Sequence, residues 1–336
     1  MSNTLYLKYR PQTLGEIIGQ EEIVNVLKNS IAKENISHAY LLTGTRGTGK
    51  TTTARAFAKE LGIHKDDILE LDAASNNGVE EIRAITEGVY TLPFFSKYKM
   101  YILDEAHMIT KQAGNALLKT LEEPPAHCIF VLCTTDPEKM LETILSRCVK
   151  FNLKSPTQEV LSKFLQQVSN SEGAKIDVEA LNLIAFSGNG SYRDALSNLQ
   201  KVLSFDEKYT EELVGRVLGI APTTAVFLYL SALDGLIELE KGVEVLKQLE
   251  DAGVDAILFA KEVVYYARLV MLFRHKLISE QEIRGEHTEQ LVQELGKFIQ
   301  NKQPKINSKT LADLINGEIS VKASSFPFLY YELLLM

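Results

Sequence analysis

The chain has 336 residues, 45% of them apolar and 24% charged, and a formal net charge of −8. That length predicts two or three domains, and the composition excludes a disordered or low-complexity chain. The acidic balance excludes a freestanding basic DNA-binding module but leaves room for DNA contact through a local face.

Taken in chain order, the N-terminal MSNTLYLKYRPQTL lacks the apolar core of a signal peptide. The segment from Gln20 to Lys33 has a helical period with Ile23, Val24, Leu27 and Ile31 on one side. From about residue 38 to 153, the apolar runs HAYLLTG, DILELDA, MYILDEA, HCIFVLCTT and VKFNL alternate with helical patterns. Alternation of this kind predicts a mostly parallel sheet with flanking helices. After Pro156 the patterns are helical. Val178, Leu181, Ile184 and Ala185 make one stripe, closed by SGNGS, and Ala195, Leu196, Leu199, Val202 and Leu203 make the next. A boundary is expected at Gly219 to Pro222, followed by helices alone with breaks near Gly235, Gly253, Gly285 and Pro304. Val254 to Phe273 is apolar enough to suggest a membrane span, but Asp255, Lys261, Glu262 and Arg268 interrupt it, so a buried helix is expected. The chain stops at FLYYELLLM, inside an apolar helical run, an ending compatible with a longer natural chain. Cys128, Cys133 and Cys148 show no CxxC spacing and support neither disulfides nor a zinc site, which with the missing signal peptide points to the cytoplasm.

Three stretches carry chemistry. Gly44, Gly49, Lys50 and Thr51 fit G-x-x-x-x-G-K-[ST] between a predicted strand and a predicted helix. In such a loop Gly44, Gly47, Thr48, Gly49 and Thr52 bring backbone N–H groups to phosphate oxygens. Lys50 neutralises the terminal phosphates, and the Thr51 hydroxyl serves Mg²⁺. A structural glycine turn is the alternative. KMYILDEAH delivers Asp104 and Glu105 to the end of a buried strand, where Asp104 would hold Mg²⁺ and Glu105 would act as general base. FVLCTTDP places Thr134, Thr135 and Asp136 at another strand end, either as a cap or as a hydroxyl that reads the γ-phosphate. Arg147 in ILSRC is either a surface ion pair or an arginine acting on a neighbouring subunit's nucleotide. Arg193 in GSYRDAL is either a first-turn surface residue or a γ-phosphate sensor.

YRPQTLGEIIGQE, SHAYLLTGTRGTGKTTTARAFAKEL, LDAASNNGVEEIR, YILDEAHMITKQAGNALLKTLEEPP, TTDPEKM, ILSRC and GSYRDALS, in that order, resemble the bacterial DNA polymerase III gamma/tau subunits, the ATPases of the sliding-clamp loader. The likeness is dense over roughly residues 4 to 205. It implies an α/β P-loop AAA+ module (1–154), a three-helix lid (155–219) and an all-α collar (220–336) through which five subunits assemble. It also implies that Tyr9, Arg10, Pro11 and Ile18 line the adenine pocket, that Thr135 is sensor 1, Arg147 the finger acting in trans and Arg193 sensor 2. ATP and Mg²⁺ are the implied ligands; sister loader subunits, a sliding clamp and primer–template DNA are the implied partners. One departure stands out. The four-cysteine zinc module that gamma/tau subunits insert after the phosphate-loop helix is missing, and no zinc is expected.

For DNA, the helix from Lys111 to Glu122 buries Ala113, Ala116, Leu117 and Leu121 and exposes Lys111, Asn115 and Lys119. The segment AASNNGVEEI, with Ser75 and Asn76, offers a helix N-terminus to a phosphate. A solvated face is the alternative in both cases. Three wider readings also stay open: a non-hydrolysing stator-like subunit, an archaeal-type small loader subunit, and a branch-migration motor sharing the core motifs.

Overall fold

The computed structural model describes residues 4–205, 207–280 and 289–336. The chain divides into two compact units, Met1–Leu161 with Gly188–Ser197, and Ser162–Ser187 with Asn198–Met336.

The first unit is built on five strands: β1 (Ala39–Thr43), β2 (Ile68–Asp72), β3 (Lys99–Asp104), β4 (Cys128–Thr134) and β5 (Val149–Asn152). They form one sheet in the order β2-β3-β4-β1-β5, and every pair is parallel. Each of the five apolar runs predicted as a strand is one. Parallel neighbours need long crossovers, and helices Lys50–Glu60, Val79–Gly88 and Lys111–Glu122 lie on these connections. Strand side chains alternate between faces, and the central strands β1, β3 and β4 are buried on both, whereas the edge strands β2 and β5 are largely exposed. Tyr40, Leu42, Met100, Ile102, Val131 and Cys133 pack with Ile23, Leu27, Ala54 and Phe57. Leu41, Tyr101, Leu103, Phe130 and Leu132 pack with Ile82, Ile85, Leu117 and Leu121 on the other face. The pairings Thr43↔Thr134 and Asp72↔Asp104 bring strand ends to one edge, where ligands bind in open α/β sheets.

The second unit is helical among its described residues, and an isolated bridge, Ile176↔Tyr209, is its one strand-type pairing. Its main core gathers Phe227, Tyr229, Phe259, Phe298, Leu314 and Tyr331. The Tyr229 hydroxyl donates to the Tyr331 carbonyl at 3.0 Å. Helix Glu211–Leu218 ends at Gly219, and Thr223–Leu233 follows at a 76° bend inside the same compact unit. The break expected near Gly285 lies outside the described residues.

The apolar stretch from Val254 is the helix Ala256–Arg274, with Phe259, Ala260, Val263 and Val270 buried. The Asp255 carboxylate caps it, accepting from Ile257 N at 2.8 Å and Leu258 N at 3.1 Å. Among the described residues no single helix is long and apolar enough to cross a membrane. Val178 departs from expectation. It is 57% exposed, and the buried members of its helix are Ala180, Leu181, Ile184 and Ala185, so the stripe begins later than the spacing suggests.

Candidate nucleotide site

The loop between β1 and helix Lys50–Glu60 follows from its glycines. Gly47 and Gly49 have φ of 78° and 99°, in the left-handed region that side chains disfavour. At Gly47 a Cβ would also collide with Ser191 Oγ. At Gly49 it would meet nothing within 4 Å, so backbone conformation alone explains that glycine. Thr48 Oγ1 donates to the Thr45 carbonyl at 2.9 Å, and Thr53 Oγ1 to the Gly49 carbonyl at 2.9 Å, which tie the loop into the helix start. Thr52 is half-buried in the first turn.

Lys50 is buried, and its Nζ donates to the carbonyls of Gly44 at 2.9 Å and Thr45 at 3.0 Å. Burial pulls its pKa down, while Glu105, Cys133 and Asp104 push it back up. Its ammonium is thus curled onto the loop's own backbone, a cation whose described partners are neutral carbonyls. Thr51 Oγ1 donates to Asp104 Oδ2 at 2.7 Å, joining the loop to the end of β3. The other Asp104 oxygen accepts from Glu105 N at 3.0 Å. Glu105 has φ 47°, uncommon for a residue with a side chain. Thr135 Oγ1, just beyond β4, donates to Glu105 Oε2 at 3.3 Å.

His107 completes this edge, and sequence reading gave it no role. Its Nδ1 lies 2.9 Å from Thr134 Oγ1 and 3.6 Å from Glu105 Oε2, and its Nε2 lies 3.5 Å from Asp136 Oδ2. Burial works to raise the Asp136 carboxyl. The Thr135 hydroxyl, Lys139 and His107 outweigh it and hold that group below the usual carboxylate range.

The N-terminal segment is fastened to the same region. The Gln20 carboxamide donates to Lys154 O at 2.7 Å and accepts from Lys154 N at 3.1 Å. Tyr192, a second residue that sequence reading passed over, donates through its hydroxyl to Ile18 O at 3.0 Å and through its N–H to Gly47 O at 3.1 Å. Tyr9, Arg10, Pro11 and Ile18 are half-buried. The Arg10 pKa is lowered by burial and then by Arg55, with Arg193 adding to the effect and Glu70 and Asp104 opposing it. Arg193 stacks its guanidinium 5.1 Å from the centre of the Tyr6 ring. Arg10 and Arg193 therefore share one field with Asp104.

Arg147 is not part of this constellation. Its Nη1 donates to Thr143 O at 2.6 Å and Ser146 Oγ at 3.2 Å, and its Nη2 to Glu122 Oε1 at 2.5 Å. Lys111, Asn115 and Lys119 are all exposed on helix Lys111–Glu122, at four-residue spacing. Ser75 and Asn76 lie before helix Val79–Gly88, and both turn back on Asp72, Ser75 Oγ onto its carboxylate and Asn76 Nδ2 onto its carbonyl, at 3.1 Å each. Among the described residues no group of three His, Cys, Asp or Glu side chains could hold a metal ion.

The parallel sheet, the glycine loop feeding a helix and the acidic strand end define a AAA+ ATPase fold. Thermotoga maritima RuvB, a Holliday junction branch migration motor, superposes with a TM-score of 0.54 over 72% of this chain and 85% of that one, at 20% identity, a likeness of fold alone. A model for the DNA polymerase III delta subunit matches residues 19–78 and 62–157, and a model for the DNA polymerase III clamp loader subunit ATPase lid domain matches 161–205. The gamma subunit of Buchnera aphidicola subsp. Acyrthosiphon pisum is 40% identical over 248 residues, covering 67% of this chain and 69% of that protein. The tau subunit of Bacillus subtilis is 36% identical over 299 residues, 80% of this chain and 52% of that protein, so the chain spans about half the length of that relative. The chain belongs to the DNA polymerase III gamma/tau family of clamp-loader subunits.

Proposed function

We propose that this chain is an ATP-hydrolysing subunit of a sliding-clamp loader: with sister subunits it opens a ring-shaped clamp when ATP is bound and leaves it on primed DNA after hydrolysis. The observation that carries the proposal is the joining of the loop and both acidic residues at one sheet edge, through Thr51–Asp104 and Glu105–Thr135. Lys50 would exchange its two carbonyl contacts for the β- and γ-phosphates, aided by the helix N-terminus behind it. The donor set fits Mg²⁺: one hydroxyl and one carboxylate are hard oxygen donors, with the remaining positions left to water and phosphate. Bound there, Mg²⁺ would neutralise charge on the phosphate oxygens. Glu105 takes the proton from the attacking water, and Thr135 orients that carboxylate as sensor 1. Tyr9, Arg10, Pro11 and Ile18 hold the base, and Arg193 reads the γ-phosphate from the region of Tyr6.

Arg147 acts on the neighbour's nucleotide, where an arginine is worth roughly 10³–10⁵ in rate. Lys111, Asn115 and Lys119, with Ser75 and Asn76, follow the DNA backbone, reading charge rather than sequence. Residues 1–154, 155–219 and 220–336 serve as ATPase module, lid and collar.

The test is steady-state ATP hydrolysis by the assembled loader, with and without primed DNA. Wild type should turn over and be stimulated. Glu105→Gln should bind ATP with wild-type affinity and not turn over. Hydrolysis by Glu105→Gln at the wild-type rate would remove the general-base role. A wild-type chain that binds ATP without hydrolysing it would leave a stator-like subunit.

A further inference from the structure

We propose that His107 is a positioning residue for the Glu105 carboxylate, an inference that rests on the reading of Glu105 as general base. The left-handed turn at Glu105 ends β3 and opens the short 3-10 turn Ala106–Met108, which brings two side chains two residues apart to one strand end. The imidazole is only 10% exposed; its Nδ1 is hydrogen-bonded with Thr134 Oγ1 at 2.9 Å, and its two nitrogens lie at the longer distances of 3.6 Å from Glu105 Oε2 and 3.5 Å from Asp136 Oδ2. Thr134 is fully buried, and its Oγ1 also accepts from Asp136 N at 3.1 Å, so the ring is anchored to a group fixed in the sheet.

The contacts on Glu105 are one-sided. His107 and Thr135 both approach Oε2, and no hydrogen bond among the described residues falls on Oε1. A carboxylate gripped at one oxygen has the lone pairs of the other aimed by the grip, as proton abstraction from a positioned water requires. Thr135 by itself is a single contact at 3.3 Å and leaves the end of a flexible side chain free to rotate. His107 adds a second contact and lies between the base and Asp136, whose Oδ2 is 3.2 Å from Thr135 Oγ1 and competes with Glu105 for that hydroxyl's one proton. Glu105, Thr135, Asp136 and His107 therefore cluster at one strand end, with His107 the member hydrogen-bonded to the buried Thr134.

The residue type suits this position. An imidazole presents a nitrogen at each end of a rigid ring, one toward Thr134 and Glu105 and the other toward Asp136. Asparagine can replace the first nitrogen and glutamine the second. Lysine or arginine would place a permanent cation next to Glu105.

The experiment compares His107→Ala, His107→Asn and His107→Gln in the assembled loader. It measures single-turnover hydrolysis and, separately, equilibrium ATP affinity and thermal unfolding. His107→Ala should slow hydrolysis about 10- to 100-fold, the size of effect that a misplaced reacting group produces, with ATP affinity unchanged. His107→Asn should recover most of the rate and His107→Gln little of it. Hydrolysis by His107→Ala at the wild-type rate, beside an inactive Glu105→Gln, would overturn the positioning role alone. So would equal loss in the Asn and Gln variants accompanied by weakened ATP affinity and lowered thermal stability, the pattern of a packing residue. Full activity in Glu105→Gln would overturn the general-base reading and the positioning role together.

Discussion

Both units bury charge, and they use it differently. In the α/β unit the buried cation is Lys50, whose described partners are two backbone carbonyls. In the helical unit the buried carboxylate of Asp234 is saturated. Its Oδ1 accepts from Lys305 N at 3.0 Å and Ile306 N at 2.8 Å, and its Oδ2 from Arg274 Nη2 and Asn301 Nδ2 at 2.8 Å each. Arg274 Nη1 goes on to the Ile306 carbonyl at 2.9 Å. A group with every lone pair engaged holds structure together, whereas a charge resting on neutral carbonyls can exchange them for a stronger anionic partner. Glu262 is a third case. It is buried at the bend between helices Glu211–Leu218 and Thr223–Leu233, accepts from the Ala221 backbone and has an Oε2 without a partner.

The contrast predicts separable losses. Lys50→Ala should weaken ATP binding roughly 100-fold or more, the cost of two or more charge-assisted phosphate contacts, and leave folding nearly unchanged. Nucleotide titration beside circular dichroism checks both halves, and a parallel loss of structure would break the contrast. Asp234→Ala should do the reverse. Stranding Arg274 and two N–H groups should destabilise the helical unit by about 3–5 kcal/mol in a denaturant titration, with ATP affinity unchanged.

Glu262 sharpens the comparison through pH. Burial raises its pKa to about 8, with Glu211 adding repulsion and the Ala221 N–H opposing. A folded-state pKa above the unfolded value means that the native state holds the proton longer. Its contribution is therefore fully present below about pH 4 and lost as pH rises through about 8, a change of a few kcal/mol. Glu262→Gln should flatten that fall between pH 5 and 8, about the span set by the two pKa values. An unchanged pH profile would mean that Glu262 is charged in the native protein. The smallest effect is expected at Lys119. Lys119→Ala should reduce DNA stimulation of ATP hydrolysis and lower the salt slope of DNA binding by about 1. Unchanged stimulation at low and moderate salt would return that helix face to solvent.

The same contrast governs what was legible in the sequence. The glycine loop, Lys50, Asp104 and Glu105 were legible because backbone chemistry ties them to fixed spacings and strand ends. The cluster around Glu105 was not, since Thr134 contacts His107 from 27 residues away on another strand. Tyr192 was missed for the same reason, lying 174 residues from Ile18. In the helical unit the apolar period found the helices, but it could not pair Asp234 with Arg274 or Asn301, at separations of 40 and 67 residues. Glu262 entered the sequence reading as one of the charges arguing against a membrane span. Its neighbours Lys261 and Arg268 are partly or fully exposed, while Glu262 itself is 2% exposed, a difference set by which helix face meets the core.

The central claim is that the catalytic centre is shared between chains, with Lys50 and Glu105 from one and Arg147 from the next. Within its own chain Arg147 pairs with Glu122 at the end of helix Lys111–Glu122, a contact that the guanidinium would have to give up to reach a neighbour's nucleotide. Loaders carrying only Lys50→Ala chains, or only Arg147→Ala chains, should be inactive or nearly so. Mixing the two before assembly creates interfaces where an intact loop faces an intact arginine, and hydrolysis should reappear in proportion to them. A mixture no more active than its separate parts, with assembly confirmed by mass, would contradict the shared site.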